Sequence, residues 1–175
     1  ENAGRLIKES GCQSVKLEGG SSVKSSIKKI VDAGIPVMGH LGLTPQSINQ
    51  FGGFKVQGKT TKSAQHLIDE ALIVQEAGAY SLVLELVPEE LSQIITEKLD
   101  IPTIGIGAGK SCDGQVQVFH DLLGLYTEFS PKHAKKYADV ASLMKKSLQD
   151  YVTEVKSGEF PDEIHMSHAD LSDLN

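Results

Sequence analysis

One junction recurs along this chain: an amphipathic stretch breaks off and a short β-type run follows it. The runs fall at residues 14–18, 36–40, 80–86, 102–106 and 116–119. Glu9-Ser10-Gly11-Cys12, Asp32-Ala33-Gly34-Ile35, Glu76-Ala77-Gly78-Ala79 and Leu99-Asp100-Ile101 lead into the first four. The glycines suit the left-handed position just past a helix end, where a side chain would clash. Val23, Ile27, Ile30 and Val31 line one helical face, and Ala64, Leu67, Ile68, Ala71 and Val74 line another. Pro88 followed by Glu89-Glu90 reads as a helix start, because proline needs no amide there and the acids suit the positive dipole end. A longer helix is expected from Ser130-Pro131 to Gly158, with Tyr137, Val140, Met144, Leu148, Tyr151 and Val155 on one side.

Strands alternating with helices imply a parallel sheet with right-handed crossovers. An open Rossmann-like sheet and a TIM barrel both meet that condition. The runs are short, and nearly all end in polar or glycine-rich clusters: Lys16/Glu18, Gly39-His40, Glu85, the segment 105–109 and His120-Asp121. That distribution favours a barrel, whose site gathers at the carboxy ends of many strands and not at one switch point. The expected fold is α/β, a TIM-type (β/α)8 barrel in one domain over residues 1–175. A closed barrel has eight strands and about 250 residues. The runs found here therefore read as its last five strands, with an amino-terminal portion expected before Glu1. Residues 44–61 are glycine-containing and loop-like, a segment that could cover a site.

The totals exclude several classes. A formal charge of −6 with no basic stripe argues against a nucleic-acid partner. No run approaches the roughly 18 consecutive apolar residues that a membrane span needs, and Glu1-Asn2-Ala3-Gly4-Arg5 opens no signal-peptide pattern. Cys12 and Cys112 are too far apart for a metal knuckle and read as free thiols in a reducing compartment, here the cytoplasm.

Four segments carry candidate chemistry. In Val15-Lys16-Leu17-Glu18-Gly19-Gly20, the period of a strand puts Lys16 and Glu18 on one side. A carboxylate there suits Mg²⁺, which prefers hard oxygen ligands, and an ammonium suits a substrate carboxylate. Taken alone, a Lys-x-Glu triplet more often marks a solvated pair on a strand edge. His40 closes one strand and opens Leu41-Gly42-Leu43-Thr44-Pro45-Gln46, a place for a ligand contact or equally for a hydrogen-bonded structural histidine. Glu85 is the one acid in Ser81-Leu82-Val83-Leu84-Glu85-Leu86-Val87. Burial of such a carboxyl raises its pKa and suits acid–base work, whereas emergence into solvent before Pro88 would leave it ordinary. Gly105-Ile106-Gly107-Ala108-Gly109-Lys110-Ser111 fails both nucleotide patterns by one residue: Lys110 stands where a dinucleotide fingerprint needs glycine, and Ile104 where a P-loop does. Glycines after a strand there read better as allowing close backbone approach to a ligand. His165 and His168 read as surface histidines, and the lysines of residues 132–136 as the wet face of their helix.

In order along the chain, these blocks, together with Leu84-Glu85-Leu86-Val87-Pro88, Asp113-Gly114-Gln115-Val116 and His120-Asp121-Leu122-Leu123-Gly124, resemble ketopantoate hydroxymethyltransferase up to about Pro161. The resemblance implies a Mg²⁺-dependent (β/α)8 barrel assembled as a homo-oligomer, a decamer in the family. It implies transfer of a hydroxymethyl group from 5,10-methylenetetrahydrofolate to 3-methyl-2-oxobutanoate, giving 2-dehydropantoate on the way to pantothenate. By position, Glu18 matches a metal ligand, Lys16 a substrate-binding lysine and Glu85 the proton acceptor; His40 takes a supporting, substrate-side role. The family's two metal-binding aspartates have no counterpart here, so the polypeptide alone is expected to be inactive. Two other readings stay open. One is a Mg²⁺-dependent keto-acid barrel of the phosphoenolpyruvate mutase or isocitrate lyase type, whose usual loop cysteine or acid is missing from residues 44–61. The other is a non-catalytic, truncated barrel fragment.

Overall fold

The computed structural model describes residues 1–47, 55–170 and 172. The middle of the expected loop, residues 48–54, lies outside the described residues. The chain divides into two compact units, Glu1–Gln117 and Val118–Asn175.

The first unit alternates helix and strand: α1 (Asn2–Ser10), β1 (Val15–Glu18), α2 (Lys24–Asp32), β2 (Val37–Gly42), α3 (Thr61–Glu76), β3 (Ser81–Glu85), α4 (Glu89–Lys98), β4 (Thr103–Ile106) and β5 (Gly114–Gln115). All five strands are parallel, and their order in space is their order in the chain, β1-β2-β3-β4-β5. The first three junction glycines take left-handed φ values, 71° at Gly11, 81° at Gly34 and 95° at Gly78. The fourth junction has no glycine and works differently. Leu99 is extended, and Gln75 Oε1 accepts the N–H of Asp100 at 2.7 Å and of Ile101 at 3.3 Å, tying the lead-in of β4 to α3. The start of α3 is fixed by Thr60: its hydroxyl accepts the Ser63 N–H while the Ser63 hydroxyl accepts the Thr60 N–H.

Register and burial together show a one-sided sheet. Val15, Val37, Leu41, Leu82 and Leu84 join Ile27, Leu67, Ala71, Val74 and Ile95 of the helices in one core cluster, with Leu17 packed against it. Burying each such Val, Leu or Ile stabilises by roughly 1.5–3 kcal/mol. The contact is tight at Gly39, where a Cβ would stand 2.4 Å from Val74 Cγ1. The alternate residues Lys16, Glu18, His40, Val83, Glu85 and Ile104 share the opposite face. None of them belongs to that helix-packed cluster.

Two expectations need correction. The fifth strand is not at residues 116–119 but at Gly114–Gln115, followed by one further bond from the Val116 N–H to the Gly105 carbonyl. It is short because its partner β4 ends at Ile106, beyond which Gly107 turns to φ 63°. Asp113 anchors this edge: its carboxylate accepts the Thr103 N–H at 2.8 Å and the Thr103 hydroxyl at 3.1 Å. The Thr103 N–H foremost, with its hydroxyl, holds the Asp113 carboxyl below the usual range. In the second unit, Phe119 instead opens α5 (Phe119–Leu123), and α6 (Val140–Ser157) begins ten residues after Ser130. The segment before α6 is diverted because the Tyr137 N–H donates to the Leu122 carbonyl at 2.8 Å. The lysines of residues 132–136 are therefore not on a helix. The expected stop holds, with Gly158 at φ 77°. The α6 side chains Leu143, Met144, Leu148, Tyr151 and Val152 are exposed in the unit.

Both cysteines are free thiols, Cys12 exposed and Cys112 buried. Burial is the main cause pushing the Cys112 thiol up, which leaves it unreactive. Among the described residues no helix is long and apolar enough to cross a membrane.

Candidate functional site

The residues singled out from the sequence meet at the carboxy ends of β1, β2 and β3. Register sets this up: Glu18 pairs with His40, and Gly42 with Glu85. Lys16, Glu18, His40 and Glu85 therefore project from one sheet face, the other three each within one level of His40. His40 is the hub. Its ring is 3% exposed, with Lys16 Nζ 2.9 Å from Nδ1, Glu18 Oε1 3.6 Å from Nδ1, and Glu85 Oε2 3.1 Å from Nε2. Lys16 Nζ also lies 3.3 Å from Glu18 Oε1. Lys16 remains partly open to solvent, whereas the side chains of Glu18 and Glu85 are only 14% and 16% exposed.

The donors and acceptors fix one arrangement. A lysine ammonium only donates, so His40 Nδ1 accepts and the ring proton sits on Nε2. Nε2 faces Glu85 at ion-pair distance, yet the carboxylate lies off the N–H axis and no aligned hydrogen bond forms. His40 therefore holds a buried, imperfectly satisfied donor beside a carboxylate. Such a group is costly to bury and has capacity left for a ligand atom. Glu85 is not the isolated acid that the sequence suggested, because His40 stands against it.

Glu18 is pinned by a contact that the sequence did not reveal: its Oε2 accepts the Gln46 N–H at 3.0 Å. Gln46, four residues past β2, thus meets the end of β1. As an oxygen ligand held on a strand end, Glu18 suits a hard divalent cation, which uses one or two carboxylates and fills its shell with water and substrate oxygens. Among the described residues no three His, Cys, Asp or Glu side chains form a metal-holding group.

The glycine-rich segment after β4 differs from expectation. Its close approach is made to the protein's own Glu89, not left open for a ligand. A Cβ on Gly109 would lie 1.2 Å from Glu89 Oε2. That carboxylate accepts the Lys110 N–H and the Ser111 hydroxyl, both at 2.6 Å. Ser92 donates to the Ala108 carbonyl. The first turn of α4 thus clamps residues 107–111 beside the site. Nothing in the Pro-Glu-Glu pattern distinguishes a dipole-stabilising acid from this clamp. Glu89→Ala is expected to destabilise by roughly 1–3 kcal/mol, because it strips a charged partner from two donors, and to speed hydrogen exchange at the Lys110 amide. An unchanged Lys110 exchange rate would show that Glu89 does not anchor the loop.

His165 and His168 are exposed as expected, each beside an acid, Asp162 and Glu163. They lie in the other unit.

The sequence profile described as ketopantoate hydroxymethyltransferase matches residues 1–163. The chain belongs to that family. Among curated relatives, 3-methyl-2-oxobutanoate hydroxymethyltransferase of Clostridium beijerinckii is 56% identical over 173 residues, 99% of this chain and 63% of the relative. The protein of the same name from Chloroflexus aurantiacus is 55% identical over 174 residues, 99% of this chain and 62% of the relative. That of Dehalococcoides mccartyi is 59% identical over 160 residues, 91% of this chain and 57% of the relative. The chain thus spans less than two thirds of the length of these relatives, and the hydroxymethyltransferase family is represented here by a parallel α/β sheet with its polar cluster at one end.

Proposed function

We propose that the whole protein transfers a hydroxymethyl group from 5,10-methylenetetrahydrofolate to 3-methyl-2-oxobutanoate, giving 2-dehydropantoate. The observation that carries this is the convergence of Lys16, Glu18, His40 and Glu85 on one strand-end cluster, in a chain whose relatives bear that enzyme's name. The sheet supports a (β/α)8 barrel as the complete architecture. Sequential strand order without a reversal, with helices packed on one face, is the arrangement of a singly wound barrel wall and not of a doubly wound sheet. The cluster then lies inside the barrel mouth. A cytoplasmic homo-oligomer completes the reading.

The chemistry follows from the groups present. The C3–H of an α-keto acid is weakly acidic, and the reaction must remove that proton before carbon attacks the one-carbon donor. Lys16 supplies the fixed positive charge that holds the substrate's carboxylate. Glu85 takes the C3 proton, with His40 Nε2–H beside its carboxylate. Glu18 would hold Mg²⁺, with the rest of the shell from water, substrate oxygens and groups outside these residues; the ion's chemical contribution is to stabilise the enolate by withdrawing charge from the keto oxygen.

A folate-dependent hydroxymethyl transfer assay on the whole protein tests the proposal, with turnover expected to require both Mg²⁺ and 3-methyl-2-oxobutanoate. No transfer to that acid would end it. Glu18→Gln is expected to raise the Mg²⁺ concentration needed for half-maximal rate by about tenfold or more, since a neutral amide is a poor magnesium ligand. Unchanged metal dependence would remove Glu18 from the metal site.

A further inference from the structure

Leu86 is the one non-glycine residue at positive φ among the described residues, at 49°. An L side chain there crowds its own backbone, so the conformation persists only where neighbours impose it. Hydrogen bonds on both sides do so. The Leu86 N–H donates to the Ile106 carbonyl at 2.9 Å, and the Leu86 carbonyl accepts the Gln57 N–H at 2.8 Å. The preceding carbonyl, that of Glu85, accepts the Leu43 N–H at 2.8 Å. Val87, the next residue, returns to the core at 2% exposure.

The leucine side chain does not account for the choice of residue. Leu86 is only partly buried and belongs neither to the core cluster nor to the side chains packed against it. What the position does have is a place in the chain directly after Glu85. Strand alternation decides which face Glu85 occupies, but it does not decide where β3 stops. The reversal at Leu86 makes Glu85 the last strand residue, level with Gly42 and one level beyond His40. From there its Oε2 reaches to 3.1 Å from His40 Nε2.

We propose that the left-handed backbone of Leu86 is a positioning device for Glu85, a strained bend that sets the height and direction of the carboxylate. Leu86 itself touches no reacting atom. The inference rests on the reading of Glu85 as the proton acceptor for the keto acid, and it adds a determinant of that residue's geometry. Backbone preference, and not side-chain bulk, is then what position 86 requires.

Three substitutions in the whole protein separate the two. Asparagine tolerates the left-handed region, alanine tolerates it less, and β-branched valine least. The measurements are C3 deuterium exchange of 3-methyl-2-oxobutanoate, with kcat and KM determined separately, and the ¹⁵N resonance of His40 Nε2. Leu86→Asn is expected to keep at least about half of the exchange kcat and the wild-type His40 resonance. Leu86→Val is expected to lose about tenfold or more in kcat, with KM within about twofold and a shifted His40 resonance. Should the valine variant fail to fold, Leu86→Ala makes the same comparison with a smaller loss. Wild-type kcat and resonance in the valine or alanine variant would overturn the proposal. So would an asparagine variant as damaged as the valine one, because side-chain packing would then be the requirement. Exchange that survives Glu85→Gln would discard the base assignment instead. In that event the His40 resonance across the series still decides whether Leu86 places Glu85.

Discussion

Replacing Glu85 with glutamine is expected to abolish deuterium exchange at C3 of 3-methyl-2-oxobutanoate, a fall of roughly 10²–10⁴-fold, the range for loss of a general base. The substitution is close to isosteric, so it leaves the sheet and the neighbouring backbone bonds in place. The side chain is mostly buried, and its only ionisable neighbour within ion-pair distance among the described residues is His40. An amide there has no basic lone pair for the proton. It can still meet His40 Nε2–H through its carbonyl oxygen, so binding of the keto acid should change far less than turnover. The decisive comparison is the rate of C3–H washout in the absence of folate, which isolates the proton transfer from the carbon–carbon step. Exchange at the wild-type rate would mean that another group takes the proton.

Gly42→Ala is expected to destabilise the protein by roughly 2–4 kcal/mol, combining a left-handed alanine with an overpacked contact. For a chain of this size that is a fall in Tm of about 5–15 °C. Gly42 sits at φ 90°, and a Cβ would stand 2.1 Å from the Glu85 carbonyl oxygen and 2.8 Å from Val87 Cγ2. The first of these is backbone, already bonded to the Leu43 N–H, and cannot move aside alone. The clash therefore displaces the end of β3, and with it the candidate base. Thermal unfolding and the C3 exchange assay should both register the change. A Tm within experimental error of wild type would show that the β2 and β3 ends are looser than this packing implies.

The fold was readable from the chain where local pattern and tertiary demand agree. Strands β1 to β4 are short β-type runs, the first three led in by a glycine junction, and each begins within one residue of its expected position. The pattern misled at residues 116–119, where Val-Gln-Val-Phe has β propensity but only Val116 still bonds to β4, which ends at Ile106. It misled again before Val140, where helical spacing continues through Tyr137 but a carbonyl of another helix claims that amide. The candidate site was readable residue by residue but not as an assembly. Period two places Lys16 beside Glu18, yet the meeting of both with His40 and Glu85 depends on inter-strand register, which no local spacing encodes. Glu89, Gln46 and Leu86 were out of reach for a further reason. Each matters through a long-range hydrogen bond in which one partner is main chain, and their residue types announce none of it.

The ammonium that faces His40 has a consequence for where a captured proton can travel. With Nδ1 occupied by Lys16 and Nε2 already protonated, the imidazole has no free lone pair to receive a proton from Glu85. For a proton leaving Glu85, His40 in this arrangement is an insulator toward the lysine, and not a wire. With Glu85 as the proposed base, a proton taken from the keto acid would stay on its carboxyl until solvent or product removes it. Return of label to the same carbon should then compete directly with loss to water, and the ratio of the two would measure how well the site is shielded during the lifetime of the enolate.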